Sequence, residues 1–341
     1  MKTIQTPLPK LLTGLITVSI IVWWMALLQE VLVLLSFSIL FAMVLFPLCS
    51  RLEKWGLPRI FAIFICLCIT FGLILGLILF ASQQIAEFSS QLPVFQQKAL
   101  LLIDKVQLWA SENFNISRRK QTLELKNQSI NLLKNSGSLI TNALSTTVNS
   151  LSYFLIVPLF VFFLLLYRDF FKHFFYKIFS QTPNARIDKI LTEIYTVVKS
   201  YVLGLLIVIL IVAALNTAGL LALGIDYAVF FGFLAAFLLL IPYVGIMIGS
   251  LLPILMALLT KESPMYAVGV AGIFVFVQFL EGNFITPFIV GSKIRINPLA
   301  AMIALILGGQ LWGVSGLILA LPYVAILNVI FANIDSLKPY C

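Results

Sequence analysis

The chain has 341 residues, of which 61% are hydrophobic and only 10% are charged. Soluble globular proteins are roughly half apolar and about one quarter charged, so this chain lacks the polar surface that a water-soluble fold needs. The composition therefore predicts an all-α integral membrane protein and largely excludes the soluble enzyme classes. The net charge is +9, but the basic residues are spread between hydrophobic segments, which favours contact with lipid headgroups over binding of nucleic acid.

The inventory of reactive side chains is small. The sequence contains four cysteines and a single histidine, His173. No two cysteines form a CxxC pair, and one histidine is too few for a His-based zinc or two-metal cluster within one chain. No phosphate-binding GxxxxGK motif followed by Ser or Thr occurs, nor does a serine or metal hydrolase motif. The sequence therefore predicts no enzymatic activity, no cofactor and no metal.

Six apolar segments of the length of a membrane span follow one another along the chain. A helix needs roughly 20 apolar residues to cross a hydrocarbon core of about 30 Å, at 1.5 Å per residue. The first two segments have almost no linker, so we expect an uncleaved helical hairpin that turns at Gln29 and Glu30. The predicted spans are residues 11–28, 31–48, 60–80, 148–167, 200–222 and 265–280.

Two further apolar segments, residues 228–258 and 298–331, are too long for one straight span each. A helix of more than 30 residues would measure roughly 45 to 50 Å. Proline and glycine interrupt helices, and in a membrane such breaks persist only where protein or a water-lined cavity satisfies the freed backbone groups. We therefore predict two broken helices or tight hairpins, and about eight transmembrane helices in all. The interrupting residues are Pro242 and Gly245 in the first segment, and Gly308, Gly309, Gly313 and Gly316 in the second.

The polar segment 81–147 carries an apolar helical stripe. From Ile85 to Trp109, apolar residues recur at alternating steps of three and four, as on one face of a coiled-coil helix. Pro93 interrupts the stripe, so we expect a new helix to begin there. A second stripe lies at 130–151. These helices could associate between the subunits of a homo-oligomer or simply pack against each other.

Basic residues in the short connections indicate the orientation in the membrane. The loop around 51–59 and the segment 168–199 are rich in Lys and Arg, and the positive-inside rule places both in the cytoplasm. The segment 81–147 is then external, and both termini are cytoplasmic in an inner (cell) membrane. If both long apolar segments are hairpins, Lys293 and Arg295 also lie inside; if neither is, they lie outside.

These segments divide the chain into five predicted parts. The aromatic and lysine-rich run RDFFKHFFYKIFS that opens the fourth part suits the membrane interface. The parts are transmembrane spans one to three at 1–80, an external amphipathic helical segment at 81–147, span four at 148–167, cytoplasmic interfacial helices at 168–199, and a membrane region with broken helices at 200–341.

Glu281 is the only acidic residue between Ser263 and Ile334. Gln278 lies three residues before it, on the same helical face, and Asn283 lies just beyond. Ionisable groups at membrane depth are costly and usually face a cavity that serves a transport path. We therefore predict that Glu281, Gln278 and Asn283 belong to a pathway for a substrate, an ion or a proton.

The helix that carries Glu281 is predicted to be interrupted by Gly282 and Pro287. A second interpretation places Glu281 at a helix end, where its carboxylate is hydrated or paired with Lys293 or Arg295. The sequence by itself leaves both interpretations open.

Four motifs occur in order along the chain: YVLG (201–204), LGIDYAVFFGFLAAFLLLIPYVGIMIGSLLPIL (223–255), QFLEGNFITPFIVG (278–291) and NPLAAMIALILGGQLWGVSGLILALPYVAIL (297–327). As a set they resemble the autoinducer-2 exporter family of bacterial permeases. A glutamine often follows the glycine that corresponds to Gly204 in that family, and Leu205 stands there in this chain.

The resemblance implies a multi-pass inner-membrane permease with about eight spans and a large extramembrane segment after the third. It also implies export of autoinducer-2 or, for some members, sodium–proton exchange, and homo-oligomeric assembly. Three hypotheses follow: a secondary exporter of a small polar metabolite such as autoinducer-2, a sodium or lithium/proton antiporter that titrates Glu281, and a non-transporting oligomeric scaffold. The expected partners are the lipid bilayer, further copies of the chain and a small-molecule or ion substrate.

Overall fold

The computed structural model describes residues 8–114, 151–240, 244–291 and 297–334. Every regular element among these residues is helical, so the predicted all-α fold is confirmed. In chain order the helices are α1 (Leu8–Leu27), α2 (Gln29–Lys54), α3 (Arg59–Phe114), α4 (Leu151–Leu166), α5 (Arg168–Ile178), α6 (Asn184–Ala222), α7 (Ala228–Leu238), α8 (Val244–Thr260), α9 (Met265–Leu280) and α10 (Pro298–Asn333).

Five helical segments among the described residues are long and apolar enough to cross a bilayer. They are Gln29–Lys54, Arg59–Phe88, Asn184–Ala222, Met265–Val290 and Pro298–Asn333. Shorter apolar helices lie at Leu12–Leu27, Ile156–Leu166, Ala228–Leu238 and Gly245–Thr260. The multi-pass membrane architecture is therefore confirmed, whereas the number eight stays a prediction.

Large apolar side chains point outward along these helices. Phe64 is 58% exposed and Leu210 is 60% exposed, and the apolar side chains of α1 are exposed on most of its surface. Such surface would drive a water-soluble protein to aggregate, but it matches the hydrocarbon of a bilayer. The exposed apolar surface therefore agrees with the low charged fraction of the sequence.

The described helices fall into two compact units. The first consists of the described parts of Met1–Phe64, Ile156–Leu205 and Val290–Cys341, and the second of those of Ile65–Leu155 and Leu206–Ile289. The core of the second unit includes the fully buried side chains of Leu220, Phe231 and Val270. Each unit is described separately below.

The segment 228–258 forms a helical hairpin in the second unit. Helix α7 has 11 residues and α8 has 17, roughly 17 and 26 Å long, so neither arm is a full span of about 30 Å. Gly249 on α8 lies against Ala235 on α7, and a Cβ on Gly249 would be 2.8 Å from the Cα of Ala235. A Cβ on Gly245 would be 1.8 Å from the Leu238 carbonyl oxygen, so only glycine fits this close approach. Pro242 lies outside the described residues.

Helix α10 in the first unit is also a hairpin. Its backbone leaves the helical region at Trp312 and Gly313, where Gly313 has φ of 59° and ψ of −137°. Gly308 and Gly316 pack together, because a Cβ on Gly316 would be 1.8 Å from the Gly308 carbonyl oxygen. In a straight helix these two residues would be roughly 12 Å apart. Gly309 similarly faces Leu317, so the chain reverses between the two arms.

Two sequence expectations about helix boundaries are wrong. Helix α3 continues through Pro93 as one helix of 56 residues, so no new helix begins there. The proline is accommodated within a helix that also crosses the predicted boundary between 80 and 81. The first two helices are separated only at Leu28, where helical hydrogen bonds continue from Leu28 to Trp24 and from Leu32 to Leu28. Gln29 and Glu30 therefore belong to the first turn of α2, and no loop at these residues separates the two helices.

In the first unit, ion pairs connect α5 to the end of α2 and to the beginning of α3. Arg168 donates hydrogen bonds of 3.0 and 2.6 Å to the two carboxylate oxygens of Glu53. Arg59 donates one of 2.7 Å to Asp169 and lowers the pKa of that carboxyl below its usual 3.8. The two basic segments of the sequence therefore contact each other in the first unit, and their location in the cytoplasm stays a prediction.

The carboxyl-terminal end of α10 reaches the same polar cluster. The side-chain amide of Asn333 donates to Glu193 at 2.7 Å, and Arg186 donates to the Asn333 carbonyl oxygen at 2.6 Å. Lys172 on α5 pairs with Asp188 on α6 at 2.9 Å. The beginning of α6 and the end of α10 thus lie together, and the location of both in the cytoplasm stays a prediction.

Candidate functional site

The helix that carries Glu281 widens where α9 ends. Residues Glu281–Ile285 and Pro287–Gly291 form π-helical turns, and the backbone N–H of Thr286 donates to the carbonyl oxygen of Glu281 five residues earlier. Pro287 has no N–H to offer the carbonyl of Asn283, so the α-helical ladder cannot continue through this point. The predicted interruption at Gly282 and Pro287 therefore takes the form of a wider helix, a feature frequent at functional sites.

Glu281 is buried and both of its carboxylate oxygens are bonded. The side chain is only 9% exposed. The Gln278 amide nitrogen donates to Oε2 at 2.8 Å, and the Thr286 hydroxyl donates to Oε1 at 2.5 Å. Both donors are neutral, so these two contacts hold the carboxylate in place without cancelling its charge. The arrangement suits a group that binds a proton, a cation or a hydrogen-bond donor of a solute.

Thr286 was absent from the predicted site residues, and the reason is geometric. In an α-helix, residues five apart lie about 140° away from each other around the axis, so the sequence pattern places Thr286 away from Glu281. The π-helical turn accommodates an extra residue per turn and brings Thr286 above Glu281. Gln278 is three residues before Glu281 on the regular helix, which is why the helical pattern identified it.

The remaining predicted residues lie apart from this pair of contacts. The exposed side chain of Asn283 donates to the backbone carbonyl of Phe279 at 2.9 Å, and Gly282 and Pro287 are exposed positions in the wide turns. Lys293 and Arg295, the cations suggested as partners of Glu281, lie outside the described residues. The glycines of the two hairpins act in close backbone packing, as described above.

No cluster of three or more His, Cys, Asp or Glu side chains suited to a metal ion is present in the described part of the chain. Glu281 is accompanied by an amide and a hydroxyl, which leaves one strong anionic ligand at this position. Divalent cations in proteins usually take six or more oxygen ligands, several of them carboxylates.

Comparison with known proteins identifies the family to which the chain is similar. Residues 12–336 match the family described as AI-2E family transporter. YrrI of Bacillus subtilis is 31% identical over 186 residues, which are 54% of this chain and 52% of YrrI. YueF of the same organism is 30% identical over 181 residues, 53% of this chain and 48% of YueF. The chain therefore spans about half the length of these two relatives.

A third relative matches over most of its length. MT0215 of Mycobacterium tuberculosis is 28% identical over 313 residues, which cover 90% of this chain and 84% of MT0215. The words transport protein stand in the names of all three relatives. Because the family match extends over both hairpins and the π-helical turns that hold Glu281, the chain belongs to the family of AI-2E family transporters.

Proposed function

We propose that this protein is a permease of the bacterial inner membrane that exports a small polar metabolite, such as autoinducer-2, by secondary transport. The observation that supports the proposal is the burial of the Glu281 carboxylate in π-helical turns, bonded to Gln278 and Thr286. A buried carboxylate with neutral partners is costly in a membrane protein and is retained where a pathway uses it. We further propose that both termini are cytoplasmic and that the protein works as a homo-oligomer.

The transport cycle follows from alternating exposure of this carboxylate. The hydroxyl of Thr286 and the amide of Gln278 orient the two oxygens, so the site is formed before a solute arrives. In the turn before Pro287, the Thr286 N–H can move from the Glu281 carbonyl to the Gly282 carbonyl, which is the α-helical pairing, while the ladder stays interrupted at Pro287 itself. Such a shift would carry Thr286 away from Glu281 and change the access to the carboxylate. Asn283, at the exposed edge of the turn, would meet solute on its way to or from Glu281.

Substitution Glu281→Gln tests the proposal. Proteoliposomes that contain the full chain are loaded with autoinducer-2, and its efflux is followed across a pH series. We expect the variant to lose at least about tenfold in rate and to lose the pH dependence, because an amide neither ionises nor accepts two hydrogen bonds as strongly. Glu262→Gln is the matched control, since Glu262 is an exposed loop residue with the same charge. Unchanged efflux and pH dependence in Glu281→Gln would remove Glu281 from the pathway.

Cation–proton exchange would use the same carboxylate, so a second assay separates the two activities. A pH-sensitive dye inside the proteoliposomes reports proton movement when sodium or lithium is added outside. We propose export of the metabolite and therefore expect no dye response. A response that disappears in Glu281→Gln would replace the exporter with a sodium or lithium/proton antiporter.

The scaffold hypothesis depends on the apolar stripe of the segment 81–147. At the start of this stripe the side chains pack against other helices of the same chain. The ring of Phe88 makes edge-to-face contacts with Tyr227, at a centroid distance of 6.1 Å, and with Phe231, at 6.0 Å. Ile85 packs against the same core. These contacts favour packing within the chain for this part of the stripe, and they make a permease the better proposal.

A further inference from the structure

Helix α5 carries a row of large apolar side chains that the described chain leaves largely uncovered. Each of them keeps between 36% and 65% of its surface exposed. At 3.6 residues per turn they fall within an arc of about 140°, so they form one side of the helix, called here the apolar face of α5. Its members are Phe170, Phe171, Phe174, Phe175 and Ile178.

The opposite side of α5 is bonded to other helices of the first unit. Three ion pairs and one hydrogen bond, from the Tyr176 hydroxyl to Asp188, fix it there. The pairs are Arg168 with Glu53 on α2, Asp169 with Arg59 on α3, and Lys172 with Asp188 on α6. Because these contacts hold the polar side toward the protein, the apolar face is turned away from it.

The apolar face begins where membrane-crossing helices end. Only Tyr167 separates α5 from the apolar helix α4, and its φ of −94° and ψ of 19° interrupt the helical geometry there. Trp55, two residues after Glu53 at the end of α2, is 79% exposed. Tryptophan and phenylalanine side chains in such positions are typical of the boundary between lipid headgroups and acyl chains.

Basic residues outnumber acidic ones around α5. The segments 51–59 and 168–199 contain nine Lys and Arg and four Asp and Glu, a net charge of +5. Each of the four acids already pairs with a cation; they are Glu53, Asp169, Asp188 and Glu193. Arg51, Lys54 and Lys177 are exposed and have no acidic partner among the described residues.

Two of these unpaired cations lie at opposite ends of α5. Lys54 follows Glu53, whose carboxylate binds Arg168 at the beginning of the helix. Lys177 is at the other end, about 13 Å along the axis, and borders the apolar face beside Phe174. Lysine stems can lie along apolar surface while the ammonium groups reach the headgroups.

We infer that the apolar face of α5, with Lys54 and Lys177 at its ends, binds phospholipids of net negative charge in preference to zwitterionic ones. The rings contact the upper acyl chains and the ammonium groups contact the phosphates. A second copy of the chain would bring the same positive charge to this surface, and like charges across an interface are costly. The charge thus favours an anionic lipid as the occupant, and this interaction goes beyond the proposed transport function.

Fluorescence quenching by brominated lipids tests the inference. The full chain with Phe174→Trp is reconstituted in equal mixtures of phosphatidylglycerol and phosphatidylcholine, with bromine on the acyl chains of one lipid or the other. The wild type, treated identically, gives the contribution of the native tryptophans. We expect the probe to favour phosphatidylglycerol at least about fivefold, which corresponds to about 1 kcal/mol for one lysine at the surface.

Substitution Lys177→Gln in the probe chain should lower this preference about fivefold. The matched control is Lys98→Gln, which removes the same charge about 58 Å along α3 from Arg59 and should leave the preference unchanged. Equal quenching by the two brominated lipids would overturn the inference. Absence of quenching by either lipid would also overturn it, since the apolar face would then be covered by protein.

A second measurement needs no tryptophan probe. A lipid that binds the folded chain raises its melting temperature in detergent micelles. We expect phosphatidylglycerol to raise it more than phosphatidylcholine does, and the double variant Lys54→Gln, Lys177→Gln to lose most of the difference. Equal shifts in the wild type would contradict the inference. Glu281→Gln should keep the lipid preference, so failure here and failure of the proposed transport function are distinguishable.

Discussion

At the scale of single residues, the buried polar side chains differ mainly in whether they have hydrogen-bond partners. Glu281 has two neutral donors, whereas the buried side-chain oxygens of Asn216 and Thr217 have no hydrogen-bond partner among the described residues. A hydrogen bond to a charged group contributes about 1.5 to 3 kcal/mol, more than one between neutral groups. The contacts of Glu281 are therefore expected to be the stronger determinants of its position.

Substitution of Thr286 tests whether the π-helical turn organises Glu281. Thr286→Val keeps the shape of the side chain and removes the hydroxyl that donates to Oε1. We expect autoinducer-2 efflux from proteoliposomes to fall about tenfold, with most of the activity recovered in Thr286→Ser. Efflux at the wild-type rate in Thr286→Val would show that this hydrogen bond is dispensable.

At the scale of secondary structure, the two hairpins explain apolar segments that are too long for one span. In α10 the arm before Trp312 has 14 residues, roughly 21 Å, and the arm after Gly313 has 20, roughly 30 Å. At the tip, the Trp312 indole donates to the Met25 carbonyl oxygen at 3.0 Å. In the second arm, the hydroxyl of Tyr323 and that of Ser36 on α2 are hydrogen-bonded to each other. The first arm is therefore too short to cross the bilayer, although the total length of α10 would allow a span.

The reversal at Gly313 predicts a specific stability effect. A Cβ at Gly313 would meet no atom within 4 Å, so Gly313→Ala introduces backbone strain alone, at φ of 59°. We expect a loss of about 1–3 kcal/mol, seen as a lower melting temperature in detergent micelles. Gly272→Ala is the matched control: Gly272 lies in α9 with open space around it and ordinary helical φ, so alanine there should be neutral or stabilising. Equal melting temperatures for the two variants would contradict the reversal.

At the scale of the whole molecule, one polar face collects the ends of several helices of the first unit. The pairs Arg168 with Glu53 and Arg59 with Asp169 join α2, α3 and α5, and Asn333 adds the end of α10. The Arg59–Asp169 pair is exposed at Asp169, and exposed ion pairs contribute only about 0 to 1 kcal/mol. Their main value here is to identify which helix ends share a membrane face.

Cysteine labelling tests this arrangement and its orientation. A background without the native cysteines receives Lys54→Cys, Lys177→Cys or Ala332→Cys at exposed positions of the polar face, or Lys98→Cys on α3. We expect a membrane-impermeant maleimide to label the first three only in inside-out vesicles and Lys98→Cys only in right-side-out vesicles. The reason is that α3 extends roughly 58 Å from Arg59 to Lys98, beyond a hydrocarbon core of about 30 Å. Labelling of any of the first three from the same side as Lys98→Cys would contradict the shared face.

The sequence by itself determined the membrane class, the apolar segments, the two over-long segments and the isolation of Glu281. Hydrophobicity and charge are local properties, so they are readable from consecutive residues. Gln278 was identified for the same reason, because it shares a regular helical face with Glu281.

The tertiary structure decided what depends on contacts between distant residues or on departures from regular geometry. Thr286 joined Glu281 only through a π-helical turn, and α10 reversed at Gly313, with Gly308 packed against Gly316. Helix α3 continued through Pro93 although local rules favour a break there. In the membrane region, many arrangements of the helices would expose apolar side chains to the lipid equally well. The direction of each helix and its packing are therefore determined by backbone hydrogen bonding and by close contacts at glycine between helices.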